Sequence, residues 1–306
     1  MSAIVLYTII SLSATGIAAA IILFIIAQRF KVIEDPRIDM VEEILPGANC
    51  GGCGFAGCRN FAEACVSIRD LTRLYCPPGG NETMQEVASA LGKEAAEKDP
   101  LVAVIRCSGS FTHRAKVNSY DGAASCAIES SLYSGDTGCQ YGCLGHGDCV
   151  RACDFDAIHM NPKTGLPVVT DENCTACNAC VIACPKDIIE LRKKNKRDRK
   201  IFVSCINEDK GGIAKKSCSV ACIGCGKCEK VCPHDAITIE NFLAYIDPVK
   251  CKLCRKCVPE CPTNAILEIN FPPKKEKIAE TIPNEKTGTS AEPVASDKTG
   301  EEPKSE

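Results

Sequence analysis

One spacing recurs three times in this chain and limits what it can fold into more than any other feature. It reads Cys174-x-x-Cys177-x-x-Cys180-x-x-x-Cys184-Pro185, then Cys222-x-x-Cys225-x-x-Cys228-x-x-x-Cys232-Pro233, then Cys251-x-x-Cys254-x-x-Cys257-x-x-x-Cys261-Pro262. Four thiols in so short a run, closed by proline, is the pattern with which bacterial ferredoxins hold 4Fe–4S clusters. The first three cap one cluster and the fourth reaches the neighbouring cluster, so the runs must fold in pairs. A zinc site would instead favour two separated Cys-x-x-Cys pairs around one tetrahedral ion.

A fourth run is irregular. Laid without a gap over the stretch from Cys218 to Cys232, "CQYGCLGHGDCVRAC" puts Cys139, Cys143, Cys149 and Cys153 on Cys218, Cys222, Cys228 and Cys232. His146 then falls on Cys225. The register extends upstream, where Cys126 falls on Cys205, and downstream, where "DAI" recurs at Asp156 and Asp235. The chain therefore carries one module twice, over roughly 126–191 and 205–269.

Crosswise pairing assigns Cys222, Cys225, Cys228 and Cys261 to one cluster, and Cys251, Cys254, Cys257 and Cys232 to another. In the first module it assigns Cys174, Cys177, Cys180 and Cys153 to a third. A fourth set, Cys143, Cys149 and Cys184, lacks one ligand. His146 stands at the usual position, and histidine can ligate such centres. Cys139 offers the softer thiolate and is the favoured completion.

A separate set, Cys50-x-x-Cys53-x4-Cys58-x17-Cys76, fits one more cluster within a small unit. Glycines crowd its first cysteines and let the backbone wrap closely round a bulky ligand. Five clusters would use 20 of the 25 cysteines. Cys65, Cys107, Cys126, Cys205 and Cys218 are left over and read as buried thiols. A sixth cluster on Cys107, Cys126, Cys205 and Cys218 would have to bridge the modules, and it ranks behind that plainer reading.

The segment from Ile4 to Ala27 has 24 residues and no charge. As a helix it would be roughly 36 Å long, enough to cross a hydrocarbon layer of about 30 Å. A cleaved signal peptide would need a basic start and a shorter apolar core. Arg29, Lys31 and Arg37 follow the segment, so the positive-inside tendency puts the N-terminus outside and the rest in the cytoplasm. A reducing cytoplasm disfavours disulfides and favours metal. The net charge of -3 and the absence of a basic, aromatic surface pattern give no sign of nucleic-acid binding.

The expected fold is α+β. It comprises a transmembrane anchor (1–30), a small helical 4Fe–4S unit with a following helix (31–100), two tandem bacterial-type two-cluster ferredoxin modules (101–204 and 205–271) and a disordered polar tail (272–306). "GCRNFAEACVSI" reads as a helix, and "NETMQEVASALGKEAAEK" as an amphipathic helix capped by Asn81 or Thr83. "DAIHM", "KDIIEL", "HDAITI" and "TNAILEI" read as short strands, and Asn161 to Gly165 as a hairpin turn. Seven basic residues, Arg192, Lys193, Lys194, Lys196, Arg197, Arg199 and Lys200, lie between two strands. They read either as a solvated hairpin turn or as a docking patch for an acidic electron donor or anionic lipid.

The order of anchor helix, "LPGANCGGCGFAGC" with the later Cys76-Pro77, "GCLGHGDC" and ferredoxin runs resembles the B subunit of the Rnf complex, a membrane-bound ferredoxin:NAD oxidoreductase. The resemblance covers about 1–270, and the second module resembles the longer form of that subunit. It implies a single-pass subunit of the inner (cytoplasmic) membrane that takes electrons from reduced ferredoxin or flavodoxin. These would pass along five 4Fe–4S clusters to membrane and flavin-bearing subunits, and on to NAD, coupled to Na+ or H+ movement. No flavin, nicotinamide, ion or acid/base site is legible in this chain itself. Alternative roles are a subunit of a related complex that keeps a redox-sensing regulator reduced, of another membrane oxidoreductase, or an iron–sulfur store. Electron input from NADH would favour the regulatory role, and labile clusters the store.

Overall fold

The computed structural model describes residues 3–29, 35–133 and 135–272. The sequence expectations for Lys31 and for a disordered tail beyond residue 272 lie outside the described residues. The first element, α1 (Ala3–Arg29), is long and apolar enough to cross a membrane, with a mean hydropathy of 2.6 over Leu6–Arg29. None of that span is buried against protein.

Three helices follow: α2 (Pro36–Ile44), α3 (Cys58–Ser67) and α4 (Gly80–Leu91). Asp35 caps α2, and Pro36 opens it with its φ already set for a helix. Their apolar faces meet in a core of Val41, Phe61, Leu71, Met84 and Val87, each at most 1 % exposed. Lys93 closes α3 by donating to the carbonyls of Cys65, Val66 and Ile68 at 2.6, 2.9 and 2.5 Å. The expected cap of α4 is corrected. The helix starts at Gly80, and Asn81 turns its amide to the Lys98 carbonyl at 2.9 Å. It stops at Leu91 because Gly92 adopts the left-handed C-cap conformation.

The rest of the chain repeats one arrangement. β1 (Leu101–Ile105) leads to α5 (Cys126–Leu132) and α6 (Asp148–Arg151), the hairpin β2 (Ile158–Asn161) and β3 (Leu166–Val169), then α7 (Ala179–Ile182) and β4 (Ile189–Lys193). β5 (Lys200–Val203) leads to α8 (Gly211–Ser217) and α9 (Lys227–Lys230), the hairpin β6 (Ile237–Glu240) and β7 (Leu243–Ile246), then β8 (Ile266–Ile269). In each half the outer strands pair antiparallel, Leu101 with Lys193 and Lys200 with Ile269, and the inner strands form the hairpin. The expected hairpin at Asn161 to Gly165 is present.

Backbone conformation explains why each run is followed by a strand. The third residue after the last cysteine is Asp156, Asp187, Asp235 or Asn264, each with φ between 46° and 54°. Asp and Asn tolerate the left-handed region that turns the chain into the strand.

The basic stretch 192–200 is not a hairpin turn. β4 pairs with β1 and β5 with β8, so this stretch connects the two halves, and strand pairing starts the second half at Lys200. Two of its seven cations are buried. Arg192, 3 % exposed, bonds Glu190 and lies over Phe202 and Tyr245; Lys200, 4 % exposed, meets Asp171 at 2.6 Å. Arg192 and Lys200 are therefore removed from the expected docking patch, because a buried, paired cation is not presented to a partner. Lys193 pairs with Asp99, Lys194 pairs with Asp198 and Arg199 lies half-buried over Phe271, which leaves Lys196 and Arg197 as its exposed cations.

Candidate metal centres

The cysteines gather in small hollows of nearly equal size. The N-terminal hollow, about 330 Å³, is lined by Cys50, Cys53, Cys58 and Cys76. Asn49 organises it: its φ is 47° and its side-chain oxygen accepts the Cys58 amide at 2.8 Å, starting α3. A second hollow of about 360 Å³ brings Cys153 to Cys174, Cys177 and Cys180. A third of about 340 Å³ brings Cys261 to Cys222, Cys225 and Cys228. Cys251, Cys254 and Cys257 share the remaining run, and Cys232 acts electrostatically on Cys251.

Some of these thiols, Cys180, Cys228 and Cys257 among them, resist ionisation. Burial pushes Cys180 and Cys257 up to about 12, with neighbouring thiols adding to the rise. Iron offsets that cost, because metal binding deprotonates thiols and is coupled to folding. Among the described residues no three His, Cys, Asp or Glu side chains converge on a single-ion position. Thiols spread round a hollow suit a multi-iron core. Amides also aim at the sulfurs: Ala103 N to Cys174, Ala244 N to Cys222 and Ala265 N to Cys261, at 3.5, 3.4 and 3.2 Å. Such bonds tune the potentials of iron–sulfur clusters.

The irregular run keeps the backbone of the regular ones. Left-handed residues flank the middle cysteine in each: Ala176 and Asn178, Gly224 and Gly226, Leu253 and Arg255. Gly145 and Gly147 flank His146 in the same way. His146 thus occupies the cysteine's place, but its Nε2 lies 2.5 Å from the Glu129 carboxylate and its ring lies against Tyr120.

Burial pushes the Cys143, Cys149 and Cys184 thiols up, and Cys126, one turn before Glu129 on α5, is near enough to add a smaller electrostatic rise to each. Cys139 lies elsewhere. It lines a hollow with Cys107, Cys205 and Cys218. Cys139, expected with Cys143, Cys149 and Cys184, thus lines the hollow of Cys107, Cys205 and Cys218, while Cys126 on α5 acts electrostatically on Cys143, Cys149 and Cys184. Of the thiols read as buried, Cys205 and Cys218 are buried and Cys107 and Cys126 half-buried, and Cys107, Cys205 and Cys218 line one hollow with Cys139. Cys65 fits that reading, being fully buried, with burial pushing its thiol up to about 11.

Asp148 holds α5 in place. Its Oδ2 accepts the Ser125 hydroxyl at 2.9 Å and the Ala127 amide at 3.0 Å, and Arg151 pairs with it. Burial opposes its ionisation, but the bonds from Cys126, Ala127, Ser125 and Arg151 prevail and hold the carboxyl below its usual range. A lowered folded pKa stabilises above the unfolded value of about 4 and is lost as pH falls through the folded one. Asp148→Asn should lower the melting temperature by about 2–4 °C at pH 7. The difference should fade below about pH 4, as calorimetry across pH would register.

Known proteins share these features. A family model described as a 4Fe-4S dicluster domain matches residues 137–188 and 221–265, a second dicluster model matches 173–236, and an Fe-S cluster model matches 45–78. The chain is 41% identical over 251 residues to the B subunit of the ion-translocating oxidoreductase complex of Methanosarcina acetivorans, covering 82% of this chain and 93% of that one. The chain belongs to the Rnf B-subunit family. Two further members of the family are similar over most of their length. The B subunit of the Na+-translocating ferredoxin:NAD+ oxidoreductase complex of Acetobacterium woodii is 42% identical over 78% of this chain and 70% of its own. That of the proton-translocating complex of Clostridium ljungdahlii is 40% identical over 81% and 86%. In this member of the Rnf B-subunit family the matched cluster domains span both halves of the repeat and the N-terminal hollow.

Proposed function

We propose that this chain is the iron–sulfur wire of an ion-translocating ferredoxin:NAD oxidoreductase, built as two tandem two-cluster ferredoxin modules behind a membrane-anchored one-cluster unit. Its role is to take electrons from reduced ferredoxin or flavodoxin and pass them to the membrane subunits. A 4Fe–4S cluster supplies one-electron chemistry when bound. Five ligand sets would hold such clusters: Cys50, Cys53, Cys58 and Cys76; Cys153, Cys174, Cys177 and Cys180; Cys126, Cys143, Cys149 and Cys184; Cys222, Cys225, Cys228 and Cys261; and Cys232, Cys251, Cys254 and Cys257.

The observation that carries this reading is that the two sets of each module abut one another and the N-terminal set abuts the first module. A Cβ on Gly52, between Cys50 and Cys53, would lie 2.9 Å from the Cys177 backbone, so the N-terminal loop rests on the first module. Cys149 acts electrostatically on Cys180 within the first module, and Cys228 on Cys257 within the second. The anchor, with Arg29 and Arg37 behind it, supports an arrangement with the N-terminus outside and the cysteine-bearing domains in the cytoplasm.

Donor entry fits the second module. Cys225 and Cys254 are exposed there, and the exposed Lys227, Lys230, Lys250, Lys252 and Lys256 accompany them in sequence. An acidic donor would be steered to this rim. Lys227→Glu with Lys252→Glu and Lys256→Glu should slow reduction of the full-length chain by reduced ferredoxin about tenfold at low salt and flatten its salt dependence. Stopped-flow bleaching of the visible absorbance measures this. Slowing by Lys196→Glu with Arg197→Glu instead would move docking to the connector. Reduction by NADH and none by ferredoxin would overturn the proposed function.

A further inference from the structure

We infer that Cys107, Cys139, Cys205 and Cys218 bind a sixth 4Fe–4S cluster, which joins the two modules. The inference rests on reading this chain as a cluster carrier, and its test separates the two.

The four cysteines come from four separate stretches, and specific contacts of the fold bring them together. Residues 106–108 run beside 203–205. The Ser108 amide donates to the Ser204 carbonyl at 3.2 Å, their hydroxyls meet at 2.7 Å, and Arg106 donates to the Val203 and Cys205 carbonyls. This sets Cys107 beside Cys205. The Ser219 amide donates to the His113 carbonyl at 2.9 Å and their side chains meet at 2.9 Å, which sets Cys218 against the first module. Asn207, 1 % exposed, donates its side-chain amide to the Cys139 sulfur and its backbone amide to the Cys205 sulfur, each at 3.4 Å.

The resulting hollow matches the N-terminal hollow and the two ferredoxin-type hollows in size. Equal size argues for an occupant of equal size. Charge argues the same way. Arg114 lines the hollow at 6 % exposure, and its Nε has no partner among the described residues. A buried guanidinium short of a partner is costly. A thiolate-ligated cluster is an anion and would supply the missing charge. Backbone approach is close as well: a Cβ on Gly109 would lie 3.3 Å from the Cys218 sulfur, and one on Gly142 would strike Arg114 at 2.6 Å.

The position has a consequence for the wire. Cys107 acts on Cys143 from one side, and Cys222 on Cys205 from the other. The hollow therefore lies between the set completed by Cys126 and the set completed by Cys261. Without a centre here the two modules would face each other across a gap.

The test is iron and acid-labile sulfide per full-length chain after anaerobic reconstitution, with electron paramagnetic resonance as a second readout. The native chain should hold about 24 iron atoms, four to each cluster. Cys205→Ala and Cys218→Ala should each hold about 20, and Cys65→Ala should lose none. The double variant Cys126→Ala with Cys139→Ala should lose about eight, because the two serve different clusters; a loss of about four would mean that they share one, and would overturn the assignment. So would a native content of about 20, full iron in Cys205→Ala, or zinc in this set. A native chain with no iron at all would defeat the cluster-carrier reading instead. Retention of about 20 by the single variants also shows that they fold, since the other five sets are then loaded.

Discussion

Cys126→Ala is expected to cost about four iron atoms, one cluster, while His146→Ala keeps the full complement. The sequence favours Cys139, with His146 at the run's second ligand position as the alternative, and gives Cys126, 17 residues before Cys143, no part. Helix α5 decides it. Its first residue is Cys126, and its Glu129 engages Nε2 of His146. In the proposed set one short helix would supply the replacement ligand, and its Glu129 occupies the histidine that stands in the cysteine's place. Because binding of the cluster is part of the folding free energy of its module, Cys126→Ala should also lower the unfolding temperature of the first half. Glu129→Gln should leave the iron count unchanged but alter the electron paramagnetic resonance signal of one cluster, since His146 then sits differently beside it. Four irons lost in His146→Ala and none in Cys126→Ala would restore the histidine as ligand.

Gly52→Val should have the largest effect on electron flow with none on metal content. A branched side chain at 52 would meet the Cα and carbonyl of Cys177 at 2.9 Å from its first carbon, where nothing short of backbone can yield. The N-terminal unit keeps its own core of Val41, Phe61, Leu71, Met84 and Val87, so it stays folded and loaded while its loop is pushed off the first module. Electron arrival at the N-terminal set should fall by up to about a hundredfold, the scale on which an ångström of misplacement between reacting partners is felt. Freeze-quenched spectra after mixing with reduced ferredoxin would resolve this, with Gly52→Ala intermediate. Unchanged arrival in Gly52→Val would mean that the N-terminal set is reached by another route.

The sequence made the regular runs legible because three of their four ligands are local. A spacing of two residues between cysteines fixes a loop, and the recurrent Asp or Asn after the last cysteine fixes where it leaves. The crosswise fourth ligand followed from pairing the runs. What stayed hidden was held by tertiary contacts. Cys107, Cys126 and Cys205 each stand apart from any run, and only the pairing of residues 106–108 with 203–205 and the docking of α5 on Asp148 bring them to other thiols. That Cys139 lines the hollow of Cys107, Cys205 and Cys218 was not legible, because nearness to Cys143 in sequence outweighed a fold not yet visible. A signal was present all the same. The gapless register matches Cys126 with Cys205 and Cys139 with Cys218 in two copies, although only one copy has an irregular run. Thiols kept in both copies cannot all be repairs to one of them. The basic connector failed for the same reason, since charge density alone does not reveal that Arg192 and Lys200 turn inward.

The pairing of β5 with β8 sets an order of assembly. β5 leaves the ribosome early in the second half, but its partner, Ile266 to Ile269, comes last of all the described strands. Until then Val203 and Ser204 have no ladder to join, and Cys205 and Asn207 just beyond them have no fixed place. The first module would carry every ligand of its two proposed sets and could be furnished with iron while the second is still being made. The junction between the modules can close only when the chain is nearly complete. A half-made chain is thereby kept from connecting its two ends electrically before both exist.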